Sequence, residues 1–535
     1  MTSSTEGTGA TEEPAPVSEH DTTGGTDTPG TTGTDAETRA ETNLPAATAP
    51  GRFRSLWAAL VARVGPATLA FALLTGFFGL VFTVTTPAMW GHDEITQFGR
   101  AYQVAHGGFL PTEIEDPRGV AYGGPVPAAI EVLMGYSLND YTLNPGEPHP
   151  MVANPHTYDR LEAAEITSDM RTVWFTNTAA YSAVPYVPAA LGIRAAELIG
   201  TDVGGMVLLT RLAGLISYLL VVGFALWTLR RYRLQWLVFT VAVLPIAVFQ
   251  AGTVTADTLT NALAILVSAL LVKGLFLGAD PNRTEVAALL VTALILPLCK
   301  PTYVLLALLI VLIPSSRLGL SGWSRALPWV FATAGAIAFA VWMKIAAPTG
   351  EGTSLMRPRH QWYTVHPNEQ LRNILGDPLG FLDVFGDSIL RRDQEWFTEF
   401  FGELGFAYVD VPATSMVTCL LAFAVSTGIA ERLSSPDFRR TLLVALTVAA
   451  GVAMIYVTLY MSFTPVDYYI IDGVQGRYFV PLAILAFAVL LRWMPFRLTA
   501  PGERAPGRGA AIAVIVATTI ALLAAAAKYH LIVWG

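Results

Sequence analysis

Charge is scarce in this chain. Of 535 residues only 14% are Asp, Glu, Lys or Arg, against 53% hydrophobic, and apolar runs near 20 residues recur along its length. That pattern excludes an ordinary soluble domain and marks a polytopic helical membrane protein, whose backbone polar groups must be satisfied within each span. The short alternating strands of a transmembrane barrel are missing. Cysteine is nearly absent: Cys299 and Cys419 fall in or beside apolar runs, with no CxxC partner and no metal-ligand spacing. A disulfide framework is therefore unsupported, and both read as small apolar core residues. No GxxxxGK[ST] loop and no strand-bound GxGxxG occurs, which argues against a cytosolic nucleotide-linked substrate. No basic stripe with interleaved aromatics is present either, so nucleic acid is not an expected partner.

The net charge of -8 is local. Residues 1–50 carry nine acids and one base, Arg39, and without them 32 groups of each sign remain. This segment is rich in Thr, Gly, Ala and Pro and has no aromatic residue, a composition that predicts a disordered acidic cytoplasmic tail. Residues 51–535 then form the membrane domain.

Arg52, Arg54 and Arg63 precede the first apolar run, 65–88, which is too long for a signal-peptide core and reads as a retained anchor. Further spans are expected at 207–229, 234–252, 256–276, 284–298, 301–314, 325–346, 413–430, 440–461, 478–494 and 510–530, eleven in all. With the tail inside, every expected inner turn is basic, as the positive-inside rule requires. Residues 174–199 are moderately apolar but interrupted by Pro185 and Pro188, and read as an interfacial or re-entrant piece. The runs 284–298 and 301–314 are short and hinged at Cys299-Lys300-Pro301, as broken helices would be. Two long external regions follow, 89–206 and 347–412, and loops of that size usually carry function. The first holds fourteen acids, five arginines and no lysine.

Within it, 86–108 reads TPAMWGHDEITQFGRAYQVAHGG, with Asp93 and Glu94 close to a membrane surface. A helix starting at Asp93 would place Asp93, Gln97 and Arg100 on one face. Asp93 would serve as its N-cap and Glu94 as a first-turn acid, while a capping Asp could still face a cleft. Other polar groups are expected on the same outer side: Asp257 and Asn261 in TADTLTNALAIL, Lys300 and Tyr303 in LCKPTYVLL, and Gln475, Arg477 and Tyr478 in GVQGRYFVPL. An ionisable group at membrane depth costs roughly 2.5–3.5 kcal/mol on insertion scales, so each is a functional candidate, discounted where a span end lets it snorkel. Carboxylates meeting cations there fit one reaction well. A carboxylate base takes a proton from an acceptor hydroxyl while Arg and Lys hold the phosphate of a lipid-linked donor. Trp90, Tyr102, Trp174, Trp342, Trp362 and Trp396 read as interface or loop-packing aromatics.

The segment DEITQFGRAYQVAHGG resembles the D-E-x-x-H-F-x-R-A-Y signature of a bacterial membrane family, domain-of-unknown-function family 2142. TADTLTNALAIL, CKPTYVLLALLIVLIP, FFGELGFAYVDVP and VQGRYFVPL resemble later pieces of the same family, in the expected order. That family is similar in layout to the GT-C glycosyltransferases. The resemblance implies an all-α GT-C-like architecture and an inverting transfer from a polyprenyl-phosphate sugar to an envelope glycan or lipid acceptor. It assigns the base to Asp93, with Glu94 beside it. Arg100, Asp257, Lys300, Tyr303, Gln475 and Arg477 are the expected substrate-binding residues. A divalent cation assists some relatives, and Glu94, His92 or the second-loop acids Asp383, Asp387 and Glu395 would be its ligands here. Gln97 stands where the signature has His, and Trp90-Gly91-His92 replaces its usual prolines. Two other classes compete: a flippase for lipid-linked glycans, with repeats and charges at the bilayer midplane, and a non-catalytic assembly protein, with Asp93 far from Arg477.

Overall fold

A computed structural model describes residues 59–535 except 144–149, 407, 432, 434–436 and 500–506. The expected tail, 1–50, lies outside the described residues. Six helices are long and apolar enough to cross a membrane: Pro66–Thr85, Val203–Thr228, Ala256–Phe276, Gly322–Ala346, Phe438–Ser462 and Arg508–Trp534. Shorter apolar helices occupy Arg283–Cys299, Ala413–Ile429 and Gly476–Leu491. The chain is thus a helical membrane protein.

Local chemistry sets the helix ends. Asp202 accepts from Gly205 N, Thr255 accepts from Asp257 N, and Asn282 with Glu285 forms a reciprocal capping box. Proline sets the breaks. The residue before proline is pushed out of the helical region by the ring. Accordingly Lys300 is extended (φ -143°, ψ 136°) before Pro301, and Leu244 (φ -54°, ψ 138°) before Pro245. The first break is the expected hinge. The second divides the expected span 234–252 into Gln235–Ala242 and Pro245–Ala251. The run 301–314 is likewise a chain of short helical turns ending at Leu312.

Residues 174–199 form the short helix Thr176–Ala179, a 3-10 turn and the helix Val187–Ile199. Thirteen residues at about 1.5 Å each are shorter than a bilayer core is thick, so Val187–Ile199 is not among the six long apolar helices.

Both long loops are folded and add a few short strands to a chain that is otherwise helical, in keeping with the all-α expectation for the membrane domain. Ala121–Pro127 pairs antiparallel with Glu113–Ile114 through Glu113↔Tyr122 and with Met170–Trp174 through Gly124↔Val173. A second hairpin pairs Glu403 with Asp410. The sequence AYGGPVP argues against a strand by composition, because Pro lacks an N–H donor. It is tolerated because Pro125 faces a partner on one side only, where the strand behaves as an edge. The loops touch each other: Phe406 N donates to Trp90 O at 2.8 Å, and Tyr363 packs against Gly119. Trp342 Nε1 donates to Ala180 O and ties the first loop to the helix Gly322–Ala346, while Trp90 Nε1 donates to Tyr158 OH within that loop.

Ala256–Phe276 runs through the centre, 94% of its apolar window buried inside the protein. Its first turn carries Asp257. The functional candidates gather around that turn.

Candidate functional site

Four charged side chains form a chain of ion pairs. Lys300 Nζ contacts Asp257 Oδ1, Arg477 Nε lies 3.6 Å from Asp257 Oδ2, and Arg477 Nη2 lies 3.6 Å from Asp93 Oδ2. They come from four separate parts of the sequence. Three sit at helix ends: Asp257 one residue inside a capped N-terminus, Lys300 at the proline break, Arg477 in the 3-10 turn Gly476–Phe479. A charge at a helix end costs less than one in the middle of an apolar span.

Exposure grades across the group. The side chains of Lys300, Asp257 and Arg477 are at most 10% exposed, whereas that of Asp93 is 29% exposed. Two cations therefore lie beneath a carboxylate that can meet an incoming molecule. Aromatic rings line the cations: Lys300 Nζ sits 4.6 Å from the centre of the Tyr478 ring and 5.7 Å from that of Tyr181, and the Arg477 guanidinium 5.3 Å from Tyr478. Tyr303 OH donates to Tyr478 O at 2.8 Å and fixes that ring's backbone. Gln250 Nε2 donates to Asp257 Oδ2, and Asn261 Nδ2 to Gln250 Oε1, which orients the central carboxylate. Gln475 sits beside Arg477, with its Oε1 buried and without a protein partner.

Asp93 precedes the helix Glu94–Ala105 in left-handed conformation (φ 52°, ψ 23°), and its side chain makes no capping bond. This departs from the expected N-cap. The left-handed backbone, which Asp tolerates better than most residues, leaves the carboxylate to Arg477 instead. Burial raises the pKa of Asp93, opposed by the Arg477 charge, with nearby Asp257 raising it further. Burial, helped by Arg477, holds His92 well below its ordinary pKa, so its imidazole is neutral.

Glu94, expected beside Asp93 at the chemistry, is committed elsewhere. Its carboxylate is fully buried against Arg211, with Oε1 2.8 Å from Nε and Oε2 2.5 Å from Nη2. It also accepts from Gly91 N and Val254 N. Arg211 in turn donates to Thr83 O, Thr86 O and Pro87 O. This clasp joins the end of the first span, the turn bearing Asp93 and the turn leading to Asp257. A side chain at Gly91 would strike Thr253 Cβ at 2.7 Å, so the two turns meet only because this residue is glycine. Arg100 is also withdrawn. Fully buried, it donates to Gly108 O, Phe109 O and Tyr181 O and bonds Gln103, which closes the loop after its helix. Gln97 accepts from Tyr186 OH at 2.6 Å and from Ala256 N at 3.2 Å through one oxygen. A carbonyl oxygen with two lone pairs can do this where a single imidazole nitrogen cannot.

The expected cation ligands do not converge. Both Glu94 oxygens are occupied, Asp387 and Glu395 lie on an exposed helix face pairing with arginines, and Asp383 is exposed. Among the described residues no group of three or more His, Cys, Asp or Glu side chains could hold a metal ion. The donor set therefore does not fit a divalent cation, and no step is drawn through one.

Sequence reasoning missed Arg211, although a lone arginine inside an apolar run is a signal in itself. It also missed Glu399 and Glu403 beside the site. Glu399 Oε2 accepts from Gly476 N, and burial pushes both carboxyls up to about 7. Tyr408, with φ 52° and a half-exposed ring, completes that side.

Residues 74–486 match the family described as predicted membrane protein (DUF2142). The match covers more than half of the chain, which therefore belongs to that family. No curated protein and no solved structure was found to match it.

Proposed function

We propose that the chain is a membrane glycosyltransferase that moves a sugar from a polyprenyl-phosphate donor to a glycan or lipid acceptor on the outer face. One observation carries the reading: a partly exposed carboxylate, Asp93, stands 3.6 Å from Arg477, which with Lys300 supplies buried positive charge beneath it. Asp93 accepts the proton of an acceptor hydroxyl as that oxygen attacks the anomeric carbon. The bond from carbon to phosphate oxygen breaks on the opposite side, and configuration inverts. The polyprenyl phosphate leaves with its charge held by Lys300 and Arg477, whose low-dielectric setting strengthens the interaction. The proton held by Asp93 keeps the group close to neutral while the phosphate is bound.

The topology that goes with this reading has eleven crossings. The two broken helices, 235–251 and 301–312, each count as one, the N-terminus lies in the cytoplasm, and both folded loops lie outside. A flippase would favour charges at the bilayer midplane, and here they sit at helix ends. A non-catalytic assembly protein would not need Asp93 against Arg477. The decisive experiment supplies defined polyprenyl-phosphate sugars to the purified chain and to Asp93→Asn in liposomes. Transfer by the first alone supports the proposal, and equal turnover by both removes Asp93 from the chemistry.

A further inference from the structure

The helix Pro378–Gly402 is 25 residues long and carries seven charged side chains, so it is long enough to cross a bilayer but too polar to do so. Successive residues turn by about 100° around a helix axis, and this divides its surface into three sectors. The first packs inward. Phe381 meets Tyr460 with ring centres 5.2 Å apart, Phe385 meets Tyr456 at 4.7 Å, and Trp396 meets Tyr456 at 5.1 Å. Tyr456 and Tyr460 belong to the last two turns of the spanning helix Phe438–Ser462. The helix is thereby held at the level where a span leaves the membrane.

The second sector lies next to the first and is apolar and uncovered. Leu379, Leu382, Leu390 and Phe397 are 74%, 58%, 79% and 51% exposed, and Asp393 is the one charge among them. The third, on the far side, carries Asp387, Arg391 and Glu395, all exposed, and Asp383 lies at its border with the apolar stripe. An apolar stripe of this kind at a span's end continues the lipid-facing surface of the bundle. A polar flank beside it is the arrangement of a helix lying in the membrane boundary.

We infer that the Pro378–Gly402 helix is seated in the lipid boundary on the side of the candidate site, with Leu379, Leu382, Leu390 and Phe397 among the acyl chains. The occupant is phospholipid rather than a specific headgroup. The helix has five acids against two arginines, so apolar burial and not attraction to anionic lipid holds it there. Its inner sector also reaches the site. Trp396 Nε1 donates to Val474 O at 2.9 Å, and Glu399 accepts from Gly476 N. The lipid-seated helix therefore braces the backbone that presents Arg477. This seating is independent of whether the site transfers a sugar.

The test places a nitroxide on the full-length chain at Leu382→Cys, Leu390→Cys, Arg391→Cys or Glu395→Cys, in phosphatidylcholine liposomes. Buried Cys299 and Cys419 are controlled for by the unsubstituted chain. All four positions are exposed, so labelling leaves the core intact. The expected result is a reversal between faces. Labels at 382 and 390 relax more with oxygen than with a water-soluble nickel chelate, labels at 391 and 395 do the opposite, and added phosphatidylglycerol leaves the pattern unchanged. Dominant relaxation by the nickel chelate at 382 and 390 would overturn the inference. So would dipolar broadening between labels on two copies with oxygen excluded, which would make a second chain the cover.

Discussion

Asp93 and Glu94 are neighbours of the same chemical kind, and the fold puts them to opposite uses. Glu94 is fully buried, bidentate to Arg211 and saturated by two backbone amides. Asp93 is partly exposed, strained into left-handed backbone, and held by a single longer contact of 3.6 Å to the Arg477 guanidinium. A buried ion pair with every lone pair satisfied resists change, because separating it leaves a charge in a medium that cannot solvate it. A carboxylate with a raised pKa and an open side can gain and lose a proton. The clasp is thus scaffold, and under the proposed function the ion-pair chain around Asp257 is the part that carries the chemistry.

Substitutions that treat the two acids alike should separate them. Asp93→Asn keeps shape and removes the base, so sugar transfer should fall by about 10²–10⁴, the range for a general base, while thermal unfolding in detergent stays unchanged. Glu94→Ala and Arg211→Ala should behave in reverse. Each strands a buried charge and should lower stability by about 3–5 kcal/mol, read as an earlier unfolding midpoint. Removing both partners together should cost less than the sum of the single losses.

Lys300→Met tests the cations. It removes one donor from the phosphate side, and a rate loss of about 10²–10³ is expected on the scale of a single preorganised donor, with Asp257 left to Arg477. The pH profile tests Asp93 more gently. Burial raises its pKa, so the acidic limb of the rate should lie above the ordinary aspartate range and vanish in Asp93→Asn. Finally, Glu403 holds its proton to about 7 in the folded chain but releases it in the usual glutamate range when unfolded. Between those values the folded state binds more protons, so this group makes stability fall as pH rises. Glu403→Gln should flatten that slope, measured as unfolding midpoint from pH 5 to pH 8.

Particular residues show what could be read in advance. The proline break at Lys300-Pro301 follows from sterics between adjacent residues, and it appears where expected. Asp257, Lys300 and Arg477 were legible as charges at span ends, since few groups of that kind lie beside apolar runs. Arg100 and Glu94 looked equally eligible. Their withdrawal depends on carbonyls at 83–87 and 108–110 and on an arginine 117 positions away, none of which spacing reveals. The strand at Ala121–Pro127 was hidden by a composition that opposes it and is stabilised by partners from elsewhere.

Composition and hydropathy by themselves determined that this chain is a helical membrane protein, where its main apolar helices fall, and which charges lie beside them. Those properties rest on local forces: apolar period, proline geometry and the cost of charge in lipid. Which of two adjacent carboxylates faces a cation at the surface and which is locked in the core was decided only by tertiary structure. Ion pairs are made between residues far apart in sequence, and their worth depends on burial that no local pattern encodes.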